Sequence, residues 1–279
     1  MWMILKDAVG GWSRHKSARL GAALAYYAVF SIGPLLLIVT AVAGFFFSAE
    51  TARRSIVQQF RGMLGDTGSQ AIEAMLAGAS SSTAAGWSAA VGVGLLVAAA
   101  VGVVVQFRDA LNTIFETADP QDVSLAWYVR VYGLSLAGIV ALGFLLAVSL
   151  VLSAGLTAVL AWFASSTQEV LLANGLNFAL SLAVLTLLFA GVFKWLPDRE
   201  LSWKHALAGG VVTAILFNIG KSIIAWYIAT QGTESTYGAA ASIVILLLWV
   251  YYSSQIVLFG AEITRACAER GVGRAGRTA

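Results

Sequence analysis

Long uncharged runs alternate along this chain with short polar ones, and residues 237–264, YGAAASIVILLLWVYYSSQIVLFGAEIT, show the pattern at full length, with no charge before Glu262. At about 1.5 Å per residue a helix of this length exceeds a hydrocarbon core of about 30 Å. Polar and aromatic residues mark its edges: Tyr237 and Gly238 at one, Glu262 and Arg265 at the other, followed by a basic tail over 265–279. The same pattern predicts spans at about 22–47, 87–107, 129–153, 171–195 and 206–229. The expected fold is all-α: one polytopic membrane domain of six transmembrane helices with amphipathic helices at the interfaces. The first run is too long for a signal-peptide core and lacks a small-residue cleavage site, so it is expected to remain in the protein.

Two polar stretches read as interfacial. Residues 1–21 place Leu5, Val9 and Trp12 at helical spacing among Lys6, Arg14, Lys16 and Arg19, which predicts an amphipathic helix on the inner surface. Residues 48–86 form the outer loop, with two apolar faces, Ile56/Phe60/Met63/Leu64 and Ile72/Met75/Leu76/Ala79, parted by Gly65-Asp66. They predict two short helices on the outer face that anchor the chain at the interface, cap a vestibule or dock an envelope protein. The run over 129–164 is too long for one ordinary span and leaves no loop for two, so a break is expected near residues 153–155.

Composition agrees, since 59% of residues are hydrophobic and 11% charged, against about 25% charged in soluble domains. The location of the 17 Lys and Arg sets the orientation: Arg53, Arg54 and Arg61 fall on the outer loop, Lys221 lies within a span, and all others lie on the side of the two ends. By the positive-inside rule both termini are cytoplasmic. The cations are used by this pattern, which leaves no basic surface for nucleic acid. The single Cys267 rules out an intramolecular disulfide.

Candidate chemistry is sparse. His15 and His205 stand near membrane ends without a Cys, His or Asp at ligand spacing and read as surface residues. The carboxylates Asp109, Glu116, Asp119 and Asp122 have no calcium-loop pattern and read as a solvated turn. No phosphate-binding glycine loop is present, and neither a catalytic set, a metal site nor a cofactor is expected. What remains is polar residues at membrane depth: Tyr27 and Ser31, Asn177, Asn218 and Lys221, and Tyr252, Gln255 and Glu262. Gln255 and Glu262 are seven apart and share a helix face, which suggests one inward polar seam; interhelical hydrogen bonding is the plainer alternative. Pro34 follows Tyr27 and Ser31 along one face and is expected to kink the first span.

AAALAYYAVFSIGPLLLIV in the first span and STYGAAASIVILLLWVYYSSQIVLFGAEIT in the last resemble the YihY/virulence factor BrkB family of bacterial inner-membrane proteins. The ALN of 110–112 and Gly209-Gly210 fit the same pattern, and the likeness covers nearly the whole chain. Its motif residues fall on Tyr27, Ser31, Pro34, Asn112, Tyr237, Gly238, Trp249, Gln255, Gly260 and Glu262. The resemblance implies six spans, a bacterial plasma-membrane location and no settled activity. It also implies that the short basic tail stands where some members carry a long C-terminal extension. An older family label, ribonuclease BN, gains no support, because no residue set here could cleave a phosphodiester. Two functions are consistent with this reading. One is a transport or export component moving a lipid-like or envelope substrate through a central polar cavity, with membrane lipids as partners; the other is a non-transporting scaffold that holds an envelope partner on residues 48–86.

Overall fold

In a computed structural model of the chain, the described residues are 2–44, 48–80, 87–117, 133, 167–231 and 241–275. They form seven helices: α1 (Trp2–Arg14), α2 (Ser17–Gly44), α3 (Ala49–Ser80), α4 (Trp87–Ile114), α5 (Thr167–Trp195), α6 (Trp203–Gln231) and α7 (Ala241–Ala275). No strand occurs among the described residues. Three of the helices hold segments long and apolar enough to cross a membrane: Phe178–Trp195, Trp203–Ile223 and Val244–Arg270. The expected span at 129–153, apart from residue 133, the break near 153–155 and the motif residues Tyr237 and Gly238 lie outside the described residues.

Neighbours in sequence pack as neighbours in space, α5 on α6 and α6 on α7, while α2 lies against α3, α4 and α7, and α1 lies along the C-terminal half of α7. The α6–α7 crossing is close because of a reciprocal pair of small-residue motifs. Gly209 of α6 faces Thr264 of α7, and Gly260 of α7 faces Thr213 of α6. Each threonine hydroxyl donates to the carbonyl of the glycine one turn before it, Thr213 to Gly209 at 2.7 Å and Thr264 to Gly260 at 2.9 Å. The hydroxyls are thereby satisfied within their own helices, so both can be fully buried where the backbones meet.

The opposite side of α6 is apolar and uncovered. Val211, Ile215, Ile219 and Ile223 recur every four residues and are all exposed, a stripe that suits hydrocarbon and not water. Exposed Trp203 and Trp226 bracket it, separated by about 34 Å of helix rise, close to the thickness between two interfaces.

Two expectations change. The outer segment is one helix, α3, rather than two lying on a surface, because Gly65-Asp66 weakens a helix by about 1 kcal/mol without breaking it. Its Ile72 and Leu76 are buried against Leu36 of α2 and Leu246 of α7, and Ile56, Val57 and Phe60 pack on the same cluster, so α3 belongs to the bundle. The first part of the expected solvated turn is helix instead: α4 continues to Ile114, and Ala110, Leu111, Ile114 and Phe115 are fully buried in the larger core with Phe193, Ala206 and Leu258, while Asp119 and Asp122 lie outside the described residues. The basic tail is helical to Ala275, held by pairs such as Arg265 with Glu269 and Arg270 with Asp7. α2 passes through Pro34 as a single helix, although proline cannot donate to the carbonyl one turn back.

Candidate functional site

Among the described residues, the polar candidates at membrane depth fall into separate groups. Gln255 and Glu262 do share a face of α7, and that face meets the α1–α2 corner. Gln255 Nε2 donates to the carbonyl of Ala18 at 3.3 Å, beside Gly21, where a Cβ would stand only 2.1 Å from that nitrogen. Two turns along α7, Glu262 is fully buried.

The surroundings of Glu262 come from four helices. The corner between α1 and α2 is made by His15 and Lys16, the latter at φ 54°, a left-handed conformation unusual for a residue with a Cβ. This corner turns the His15 ring inward, leaving its side chain only 8% exposed. Nδ1 lies 2.7 Å from Glu262 Oε1, and Nε2 lies 3.1 Å from Glu116 Oε1 at the end of α4. Ser17 Oγ donates to Glu262 Oε1 at 3.2 Å, and Arg265 Nε donates to Oε2 at 3.2 Å. Arg265 also grips Glu269 through Nη1, at 2.8 and 2.9 Å to its two oxygens. Its Nη2, without a hydrogen-bond partner among the described residues, lies over Gly11, where a Cβ would be 2.4 Å away; glycine there lets α1 sit against the pair.

Glu116 is half exposed and also at positive φ, 52°. The hydrogen bond from His15 holds its carboxyl below the usual carboxylate range, assisted by the charges of Arg265 and Arg14 and opposed by partial burial. The result is an ionic cluster that ties α1, α2, α4 and α7 together at one end of the bundle.

Beside it, Asn112 acts as a clamp. Its Nδ2 donates to Asp198 Oδ2 at 2.7 Å and its Oδ1 accepts from the backbone N–H of Asp198 at 2.9 Å, while Arg108 pairs with the other oxygen of Asp198. Arg199 Nη1 donates to the carbonyl of Phe115 at 2.9 Å, covering the C-terminal end of α4, where a cation is favoured. The turn from α5 to α6 is thus fixed to α4. Removing either side of this clamp, Asn112→Ala or Asp198→Ala, is expected to cost about 1–2 kcal/mol, and the double variant scarcely more than one alone. Thermal unfolding of the detergent-purified protein would test this, and additive losses would contradict a shared interaction.

The remaining candidates are dispersed. Lys221 of α6 lines a narrow cleft with Phe217, Trp249, Tyr252, Ser253 and Ile256 that admits no water-sized sphere. Trp249 is edge-on to Phe217 at 5.8 Å, and Tyr252 covers Gly220. Asn218 donates to the carbonyl of Ala214 in its own helix at 3.0 Å. Ser31 is buried, whereas Tyr27 is exposed and meets Tyr26 edge-on. The Asn177 side chain lies outside the described residues. Among the described residues no group of three or more His, Cys, Asp or Glu side chains is placed to hold a metal ion.

Sequence reasoning placed His15 on the surface and left Arg265, Glu116, Ser17 and Asp198 out of the site. The structure buries the His15 side chain, Arg265 and Ser17. Contacts between residues 247 apart leave no trace in local spacing; the nearest signal was the glycine pair at 10–11 before a cluster of cations.

The helices and this membrane-end cluster define a helical integral membrane protein. The chain belongs to the virulence factor BrkB family, whose model matches residues 8–278. Among its relatives is a UPF0761 membrane protein of Methylibium petroleiphilum, 35% identical over 178 residues, which cover 62% of this chain but only 40% of that protein. Another, from Psychromonas ingrahamii, is 29% identical over 88% of this chain and 81% of its own length. A third, from Actinobacillus pleuropneumoniae, is 27% identical over 94% of this chain and 92% of its own. No solved structure matches the chain.

Proposed function

We propose that this chain is a multi-pass protein of the bacterial inner membrane, with six spans and both termini cytoplasmic, acting as a transport or export component for an amphipathic, lipid-like envelope substrate. The carrying observation is Lys221, a cation at membrane depth, partly exposed, and without a hydrogen-bonded or ionic partner among the described residues. It lies on the α7-facing side of α6, beside Trp249 and Tyr252, on the face opposite the exposed Ile219 and Ile223 of the apolar stripe. By helix rise it is about 27 Å from Trp203, one to two turns short of Trp226, so its long stem can bring the ammonium to the outer headgroup region. A cation there, beside aromatic side chains at the α6–α7 seam, suits an anionic headgroup held at the interface.

The central cavity expected from the sequence gives way in this proposal to a route along the α6–α7 surface. Gln255 is committed to Ala18, and the Lys221 cleft is too narrow for water. Reconstitution in liposomes, with assays for movement of anionic and zwitterionic lipids, tests the reading. Wild type is expected to move an anionic lipid and Lys221→Met to lose at least about tenfold in rate; no movement by wild type, or an unchanged rate in the variant, counts against it.

One observation favours the scaffold alternative. α3 borders an open recess of about 860 Å³ lined by Glu50, Arg53, Arg54, Gln58, Gln59 and Glu73, a surface of mixed charge suited to a protein partner. A specific crosslink from this recess to an envelope protein, together with no lipid movement, would make that reading the stronger.

A further inference from the structure

We infer that His15, Glu116 and Glu262 form a proton-binding site, in which an imidazolium held between two carboxylates fastens α1 to the ends of α4 and α7. Donors and acceptors around the His15 ring carry the assignment, whatever the activity of the protein. Glu262 takes hydrogen bonds from Ser17 Oγ–H and Arg265 Nε–H, and an ionised carboxylate is the form that only accepts. Its Oε1 stands 2.7 Å from His15 Nδ1, so Nδ1 must carry a hydrogen. Glu116 Oε1 stands 3.1 Å from Nε2 and within 4 Å of both Arg14 and Arg265, at 3.5 and 3.8 Å, again the setting of a carboxylate. Nε2 must therefore carry a hydrogen as well. A neutral imidazole has one N–H and one lone pair, so it would turn the lone pair against one of the two anions.

The charges agree with this assignment. The groups facing His15 are Arg14 on α1, Glu116 at the end of α4, and Glu262, Arg265 and Glu269 on α7. With the imidazolium, three cations meet three carboxylates. Without it, the cluster carries one uncompensated negative charge, and with the remaining hydrogen on Nδ1 the bare nitrogen faces the Glu116 carboxylate.

The ligand is a proton from water, added to a ring nitrogen and returned to water on release, with no other bond made or broken. Its route is visible in the exposures: Glu116 is 53% exposed and the His15 side chain 8%, so the proton reaches the buried pair from the Glu116 side. Because His15 is the corner between α1 and α2, loss of the proton acts directly on the seating of α1. The site therefore reports proton activity at that end of the bundle as the attachment or release of α1.

The chain holds only two histidines, which makes the site spectroscopically separable. Solid-state NMR of the full chain in phospholipid bilayers, with ¹⁵N-labelled imidazoles and His205→Gln used for assignment, reads the state of each ring nitrogen. Near neutral pH the His15 ring is expected to show two protonated nitrogens in wild type and only Nδ1 protonated in Glu116→Gln. One bare nitrogen in wild type would overturn the proposal. Hydrogen exchange over residues 2–14, corrected for the intrinsic pH dependence of amide exchange, tests the consequence: protection should fall about tenfold as the proton leaves with rising pH. In His15→Gln it should be low at every pH, while His205→Gln should behave as wild type. Equal protection of α1 in wild type and His15→Gln, or an unaltered imidazole in Glu116→Gln, a substitution at a half-exposed position, would refute the linkage.

Discussion

Replacing Gly260 with leucine is expected to prevent the bundle from assembling, and Gly209→Leu should do the same. A Cβ at Gly260 would lie 1.7 Å from Thr213 Oγ1 and 3.0 Å from its Cβ; one at Gly209 would lie 1.8 Å from Thr264 Oγ1 and 2.9 Å from the carbonyl oxygen of Gly260. Neither neighbour is the loose end of a flexible chain. Both threonines are fully buried and hydrogen-bonded to the preceding turn, so relief requires the helices to move apart. Overpacking of a tight core ordinarily costs about 1–3 kcal/mol, and separation of two backbones should exceed the upper figure. In lipid there is no hydrophobic drive to bring helices together again once van der Waals contact is lost. Membrane-fraction yield and thermal stability in detergent measure the effect.

The reciprocal geometry supplies a rescue. In Gly260→Ala the obstruction is Thr213, so adding Thr213→Gly should restore part of the lost stability, less about 1 kcal/mol for glycine within a helix. After Thr213 is removed the closest remaining atom is Phe193 Cζ at 3.3 Å, a contact a side chain can relax. A double variant no more stable than Gly260→Ala would show that the crossing is not held as described.

What the sequence reveals here follows from what lipid demands of a helix. A span needs about 20 continuous apolar residues, and this produces runs visible without any partner, as for α5, α6 and α7. The ends of those helices were less legible because their stability comes from neighbours. Ala110, Leu111, Ile114 and Phe115 follow a helical face, but charges at Arg108, Asp109 and Glu116 made the stretch look like a turn. The polar site was legible only in its α7 half. Spacing alone put Gln255 and Glu262 on one face, whereas nothing local to His15 shows that Glu262 would cover it. The Gly-x-x-x-Thr pair at 209–213 and 260–264 is present in the sequence, yet a small residue at fourfold spacing does not declare which helix it will meet. Isoleucines at 215, 219 and 223 illustrate the converse: in a membrane, the apolar face of α6 is its exterior.

Arg265→Met is expected to destabilise the protein by about 3–5 kcal/mol, the usual penalty when one member of a buried ion pair is removed and the other stays charged. Arg265 is 2% exposed and Glu262 fully buried, so water cannot replace the lost donor. Glu269 would be freed toward solvent, but Glu262 would retain only His15 and Ser17 as donors. Glu262→Gln should cost less, about 1–3 kcal/mol, because the amide oxygen still accepts from one donor while its NH₂ is turned toward another donor. Arg265 would then keep Glu269 as its anion. Combining Glu262→Gln with Arg265→Met removes both charges together, and the pair should be less costly than the two separate losses added. Unfolding followed by a thiol-independent probe, in one detergent and at one protein concentration, gives the three values. Strict additivity, or an Arg265→Met protein as stable as wild type, would mean that the charges at this end of the bundle are solvated and do not hold α1, α4 and α7 together.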